Sequence, residues 1–229
     1  MAYKVFTNGS VLNASEINDN LMRQSVMVFS NAAARTSAIA SPVEGMLTWL
    51  EDVNRYEFYN GTAWVTYNTG LVQLATQTFT GVSTVSFNNV FSSLYKDYLF
   101  VYSGNQSPSG SNLHYRLRSG GTDNTSSNYT AGAVQITEGG GPTRLYEAGS
   151  TWARISNLQI YRSQFTLTVS DPFNPVTTTT AGDYTSFGNT TALGNSWGYH
   201  VVSSSFDGIS FIVSGGTFAG TITAYGYRS

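Results

Sequence analysis

Hydrophobic residues change their period along this chain, and the change marks a boundary. From Asn13 to about Ser37 they recur at helical spacing. Ile17, Leu21 and Val28 form one stripe, and Met22, Val26, Phe29 and Ala33 form the next. Asn13 stands where an N-cap is needed, Glu16 can reach back in a capping box, and Leu12 and Ile17 fit a hydrophobic staple. The pattern predicts one long helix over residues 13–37, roughly 37 Å at ~1.5 Å per residue. So wide an apolar face needs cover, either from the β domain that follows or from copies of the same helix. Ile17, Leu21, Met22, Val28 and Phe29 are therefore the predicted oligomerisation residues.

Beyond Ser41-Pro42 the period becomes two. Residues 46–50, 55–59 and 62–66 read as a three-stranded meander, with Glu51–Asn54 as the first turn. Asn60-Gly61 is the second, the sequence a type I′ hairpin prefers. A meander of this size must dock on something to be stable. From residue 67 on, strand-like stretches follow one another between Gly, Ser, Asn and Pro turns, at 72–79, 83–87, 98–102, 113–118, 154–161, 164–170, 198–204, 209–213 and 221–226. Leu113, Tyr115 and Leu117 alternate with His114, Arg116 and Arg118, and Phe165, Leu167 and Val169 alternate with hydroxyl residues. The fold class is mainly β: an N-terminal helix and small meander over 1–66, then a β-sandwich, jelly-roll-like, over 67–229.

Composition narrows this picture. Only 10% of the residues are charged, with a formal net charge of -2, against about a quarter in an ordinary soluble domain. Ser, Thr and Asn supply the polar surface instead. With no basic cluster, nucleic acid is not an expected partner. There are no cysteines, so disulfides, thiolate metal sites and Cys nucleophiles are excluded. Residues 1–10 carry no apolar core of signal-peptide length, and no apolar run is long enough to span a bilayer. The expected route is synthesis in a cytoplasm and release within a particle on lysis.

The run Gly9-Ser10-Val11-Leu12-Asn13 through Leu21-Met22-Arg23-Gln24, then Ser41-Pro42-Val43-Glu44-Gly45-Met46 and Tyr59-Asn60-Gly61-Thr62-Ala63-Trp64-Val65, resembles an N-terminal module of tailed-bacteriophage appendage proteins. The match covers most of residues 8–66. The C-terminal run Phe206–Tyr227 and the segment Tyr115–Thr125 resemble the β-sandwich of phage tail-fibre and related virion proteins. The resemblance implies a virion protein, a homotrimer attached to neighbouring virion proteins through its N-terminal module. Its sandwich would then adhere to host cell-surface polysaccharide. A capsid-decorating head fibre and a glycan-degrading tail enzyme are the alternatives.

Little in the chain points to catalysis. His114 and His200 read as strand residues with ordinary partners, and no cofactor or metal is expected. Glu138, Glu147, Asp171, Asp183 and Asp207 show no spacing that pairs two carboxylates across a sugar bond. Asp207-Gly208 reads as a hairpin turn. Asp123-Asn124 reads as a loop that can also hold calcium or a sugar. Tyr129, Tyr146, Trp152, Tyr184 and Trp197 read as loop aromatics, with core packing as one role and stacking on a glycan as the other.

Overall fold

The computed structural model describes residues 8–9, 11, 13–16, 26–67, 70–107, 111–188 and 191–227. The chain is mainly β and divides into two compact units, Met1–Thr69 and Gly70–Ser229.

In the first unit the predicted long helix is broken. A short helix α1 (Ala14–Glu16) is followed by strand β1 (Met27–Phe29) and helix α2 (Ala32–Ala38). Val28 and Phe29 are strand residues, pairing in parallel with Trp49 and Leu50 of β2 (Leu47–Leu50). Ile17, Leu21 and Met22 lie outside the described residues. Two valines in the run Val26–Phe29 suit a strand as well as a helix, and β2 supplies the partner. The stretch from Ser30 to Met46, with α2 inside it, makes the crossover a parallel pair needs. Asn31 caps α2: its backbone is extended and its Oδ1 accepts from the Ala34 N–H at 2.9 Å. Phe29 is buried with Ile39 and Leu50, so it is a core residue and not an oligomer contact.

β3 (Arg55–Tyr59) and β4 (Trp64–Thr66) complete a sheet of order β1-β2-β3-β4. The β3–β4 hairpin is present, but its turn is a four-residue loop closed by Asn60 N–H to Ala63 O at 3.0 Å. The Asn60 side chain accepts from the N–H groups of Thr62 and Ala63, and Gly61 takes φ +92°. An Asx turn has replaced the expected type I′ pair. Glu57 on β3 holds two arginines: the buried Arg35 of α2, and Arg55 at 2.7 Å. The Arg35 guanidinium also lies over the Trp64 ring at 4.5 Å.

The second unit is a β-sandwich. One antiparallel sheet has eight strands in the order β11-β10-β15-β14-β13-β7-β17-β5. These are β5 (Leu71–Val82), β7 (Asp97–Ser107), β10 (Tyr129–Thr137), β11 (Pro142–Ser150), β13 (Arg162–Ser170), β14 (Thr178–Phe187), β15 (Ala192–His200) and β17 (Thr217–Tyr227). The smaller sheet runs β12-β8-β16-β6, with β6 (Thr84–Phe87), β8 (Asn112–Ser119), β12 (Ala153–Asn157) and β16 (Gly208–Val213). The two-residue β9 (Thr122–Asp123) pairs with β8. Asp207 does not form a hairpin turn. It leads into β16 and its Oδ2 accepts from the Gly120 N–H at 2.8 Å.

Alternation explains the core. Tyr98, Phe100, Phe165, Leu167 and Ile222 of the large sheet meet Phe87, Leu113, Tyr115, Leu117 and Phe211 of the small one. The outward positions of the large sheet form a second, exposed face made chiefly of Thr, Ser, Gln, Asn and scattered aromatic residues.

Candidate functional site

The five predicted aromatics separate into three sets, and four of them are strand residues. Tyr129 opens β10, fully buried. Its hydroxyl accepts from Leu117 N–H at 3.0 Å and donates to Asn124 O at 3.1 Å. Desolvation pushes its pKa upward. Tyr184 lies inside β14 and donates to Gln135 Oε1 at 3.0 Å. Both tie the interior together, and neither presents a ring face at the surface.

Trp152 sits in the turn before β12. It stacks on His114 with ring centroids 4.4 Å apart and carries the Arg116 guanidinium over its ring at 5.1 Å. His114 is buried, with Nε2 3.9 Å from Glu147 Oε1. Burial first, then the charges of Arg154 and Arg116, lower its pKa from 6.5 to about 4, against the accepting backbone carbonyl of Asn112, which acts to raise it. The folded value is below the unfolded one, so the unfolded chain takes the proton first as pH falls. Stability from this group is complete above pH 6.5 and is lost on going down to about pH 4, in all by about 3 kcal/mol. His200, lowered by burial, adds a slope of the same sign. Urea midpoints between pH 7.5 and 4.5 should fall accordingly, and His114→Gln should flatten the profile. An unchanged slope in that variant would assign the effect elsewhere.

Tyr146 and Trp197 come together. On the outer face of the large sheet, Tyr146 of β11, Gly132 of β10 and Trp197 of β15 are neighbours in one cross-strand row. The indole folds over the glycine, where an added Cβ would meet its Cζ2 at 2.5 Å. Only a residue without a side chain leaves room for the ring to lie flat there. Tyr146 stands 6.3 Å away at 44°, and Tyr199, two residues along β15, stands 6.3 Å away at 20°. Despite this packing Trp197 is 45% exposed and Tyr146 68%.

Polar groups continue the shelf. Asn195, on the same side of β15 as Trp197, donates to Asp183 Oδ1 of β14 across the register pair. Asp183 in turn lines an open groove of about 360 Å³ floored by Val101, Ser103, Gln164, Thr166 and Thr185, with Arg162 at its margin. Aromatic faces beside a hydrogen-bonding groove can hold a ligand that is apolar on its ring faces and hydroxylated at its edges.

The remaining candidates are otherwise engaged. Asp123 is taken by Arg118 and by the Ser210 hydroxyl, so the loop Thr122–Asn128 is anchored at its start. Asp171 is held by Lys96 and Asn174. Among the described residues, no group of three or more His, Asp or Glu side chains is placed to hold a metal ion, and no helix is long and apolar enough to cross a membrane. Comparison of the chain with protein-family models, curated proteins and solved structures finds no match.

Sequence reasoning missed Gly132, Asn195 and Tyr199. The spacing Asn195-x-Trp197-x-Tyr199 marks one strand face, but the strand predicted at 198–204 includes only Tyr199, whereas β15 starts at Ala192.

Proposed function

We propose that the chain is a structural and adhesive protein of a tailed-phage particle. In this reading it is a homotrimer fixed to neighbouring virion proteins by its first unit. The second unit holds host cell-surface polysaccharide on the Tyr146–Trp197–Tyr199 shelf. The virion assignment rests on the motif resemblance over residues 8–66. The adhesive role rests on one observation: a half-exposed indole laid flat over Gly132, flanked by two tyrosines and the Asn195–Asp183 pair. A sugar ring stacks its C–H face on such a surface while its hydroxyls bond to the amide and carboxylate. Three such sites on one rigid particle would multiply a weak single contact by avidity. The role is binding rather than hydrolysis. Asp183 is the one carboxylate lining the groove among the described residues, whereas glycoside cleavage ordinarily uses two.

The test is binding of the purified protein to an array of bacterial capsular and O-antigen polysaccharides. Trp197→Ala should weaken the strongest hit by about tenfold or more, as expected for a central aromatic anchor. Gly132→Ala should do the same by lifting the indole, without loss of the folded circular-dichroism spectrum. Unchanged binding in Trp197→Ala would sink the assignment of the shelf. Light scattering should give three chain masses per particle, and a monomer would remove the trimer.

A further inference from the structure

A second groove continues the first. It is about 380 Å³ in volume and is floored by Thr78, Thr80, Asn105 and Thr221, with Tyr161 and Arg162 at its rim. The two grooves share Ser103 and Arg162, so they form one depression across the outer face of the large sheet. Its direction follows from register. Gln164, Ser103, Thr221 and Thr78 are successive cross-strand partners on β13, β7, β17 and β5. The depression therefore runs across the strands and not along them. From Asp183 on β14 to Thr78 on β5 there are four inter-strand steps, roughly 19 Å at ~4.8 Å each. The Trp197 shelf lies one strand further on, four residues along β15 from Leu193, which shares the register row of Gln164.

Beyond Asp183 the side chains along that length are mainly hydroxyl and amide, interrupted by Val101, Phe79, Ala219 and one cation. Arg162 is exposed and makes no ion pair among the described residues. The threonines are set in place by each other: Thr78 Oγ1 lies 3.0 Å from Thr221 Oγ1, and Thr76 Oγ1 lies 3.1 Å from Thr223 Oγ1. As β-branched side chains they have little rotamer freedom to lose when a ligand binds. Aromatic rings flank it at two places, the Trp197 shelf at one end and Tyr161, 72% exposed, midway beside Arg162 at the start of β13. A pocket for a single terminal sugar would be enclosed on several sides. This depression is shallow and open along its course.

We propose that this face binds a linear polysaccharide along its length, with several consecutive units crossing the sheet from the Trp197 shelf, past Arg162, to the threonines of β17 and β5. The inference rests on the glycan reading above and adds to it the mode of binding, internal chain segments rather than chain ends.

The experiment uses the polysaccharide that scores highest on the array, partially hydrolysed and separated into fragments of increasing length, each titrated against the full chain in solution. Affinity should rise with fragment length until the depression is spanned and then level off. Arg162→Ala and Tyr161→Ala, both at exposed positions, should weaken the longest fragments by about tenfold and leave the shortest unchanged, whereas Trp197→Ala should weaken every length. Melting curves should show the variants folded. Equal affinity at all lengths, or long fragments indifferent to Arg162→Ala and Tyr161→Ala, would overturn the extended mode while the glycan reading stands. No binding to any polysaccharide, or indifference of every fragment to Trp197→Ala, would overturn both.

Discussion

Phe211→Ala is expected to destabilise the sandwich by about 3–5 kcal/mol, the range for removing a buried aromatic ring. Phe211 is fully buried on β16 and bridges the two sheets. Its ring centroid lies 5.3 Å from Phe100 and 5.5 Å from Phe165 of the large sheet, and 6.2 Å from Phe87 of its own. Phe100 and Phe165 lie on β7 and β13, each held by ladders on both sides, and Phe87 lies on β6, laddered to β16 itself, so the backbone is poorly placed to close the cavity. Total stability for a domain is about 5–15 kcal/mol, so about a fifth or more would be lost at one position. Urea unfolding followed by tyrosine fluorescence checks it, with Leu193→Ala on the exposed face as a control near zero. A loss below about 1 kcal/mol at Phe211 would mean that the core relaxes far more freely than ladders allow.

The second large effect belongs to the first unit. Glu57→Ala should leave Arg35 buried without its counterion, at a cost of about 3–5 kcal/mol. Among the described residues the buried apolar core there comprises Phe29, Ile39 and Leu50, and a core of that size leaves only a few kcal/mol in reserve. The expected result is selective unfolding: Trp49 and Trp64 fluorescence shifts to that of an exposed indole while the sandwich keeps its melting transition. Replacing Arg35 and Glu57 together by Met and Leu should restore part of the loss, because the penalty lies in the orphaned charge. A single transition carrying both losses would show that the two units do not unfold independently.

The strands read most easily from sequence were those with large residues at every second position, such as Phe165, Leu167 and Val169. β11 carries little alternation signal because it is largely exposed and polar. β10 and β14 carry little because most of their inward positions besides Tyr129 and Tyr184 are small, Ala131 and Ala133 in one and Thr178, Thr180 and Gly182 in the other. The same economy hid the shelf. Gly132 looks like a turn residue in sequence, yet in the sheet it makes room for an indole from the next strand. The helix was misread for a related reason. Val26–Phe29 fits both periods over so short a run, and only β2, remote in sequence, decides between them. The Asn31 cap was a local signal that a new helix begins there.

The position of β17 has a consequence for how the molecule is made. The strand is inserted between β7 and β5, pairing with both, and Tyr227 lies opposite Leu71. Until residue 227 has been synthesised, β5 has no sheet to join and the core lacks Phe218 and Ile222. Folding of the sandwich therefore waits for nearly the whole length of its chain, and it proceeds at the slow pace of contacts distant in sequence. A ribosome stalled before that point would display an uncompleted, aggregation-prone sheet.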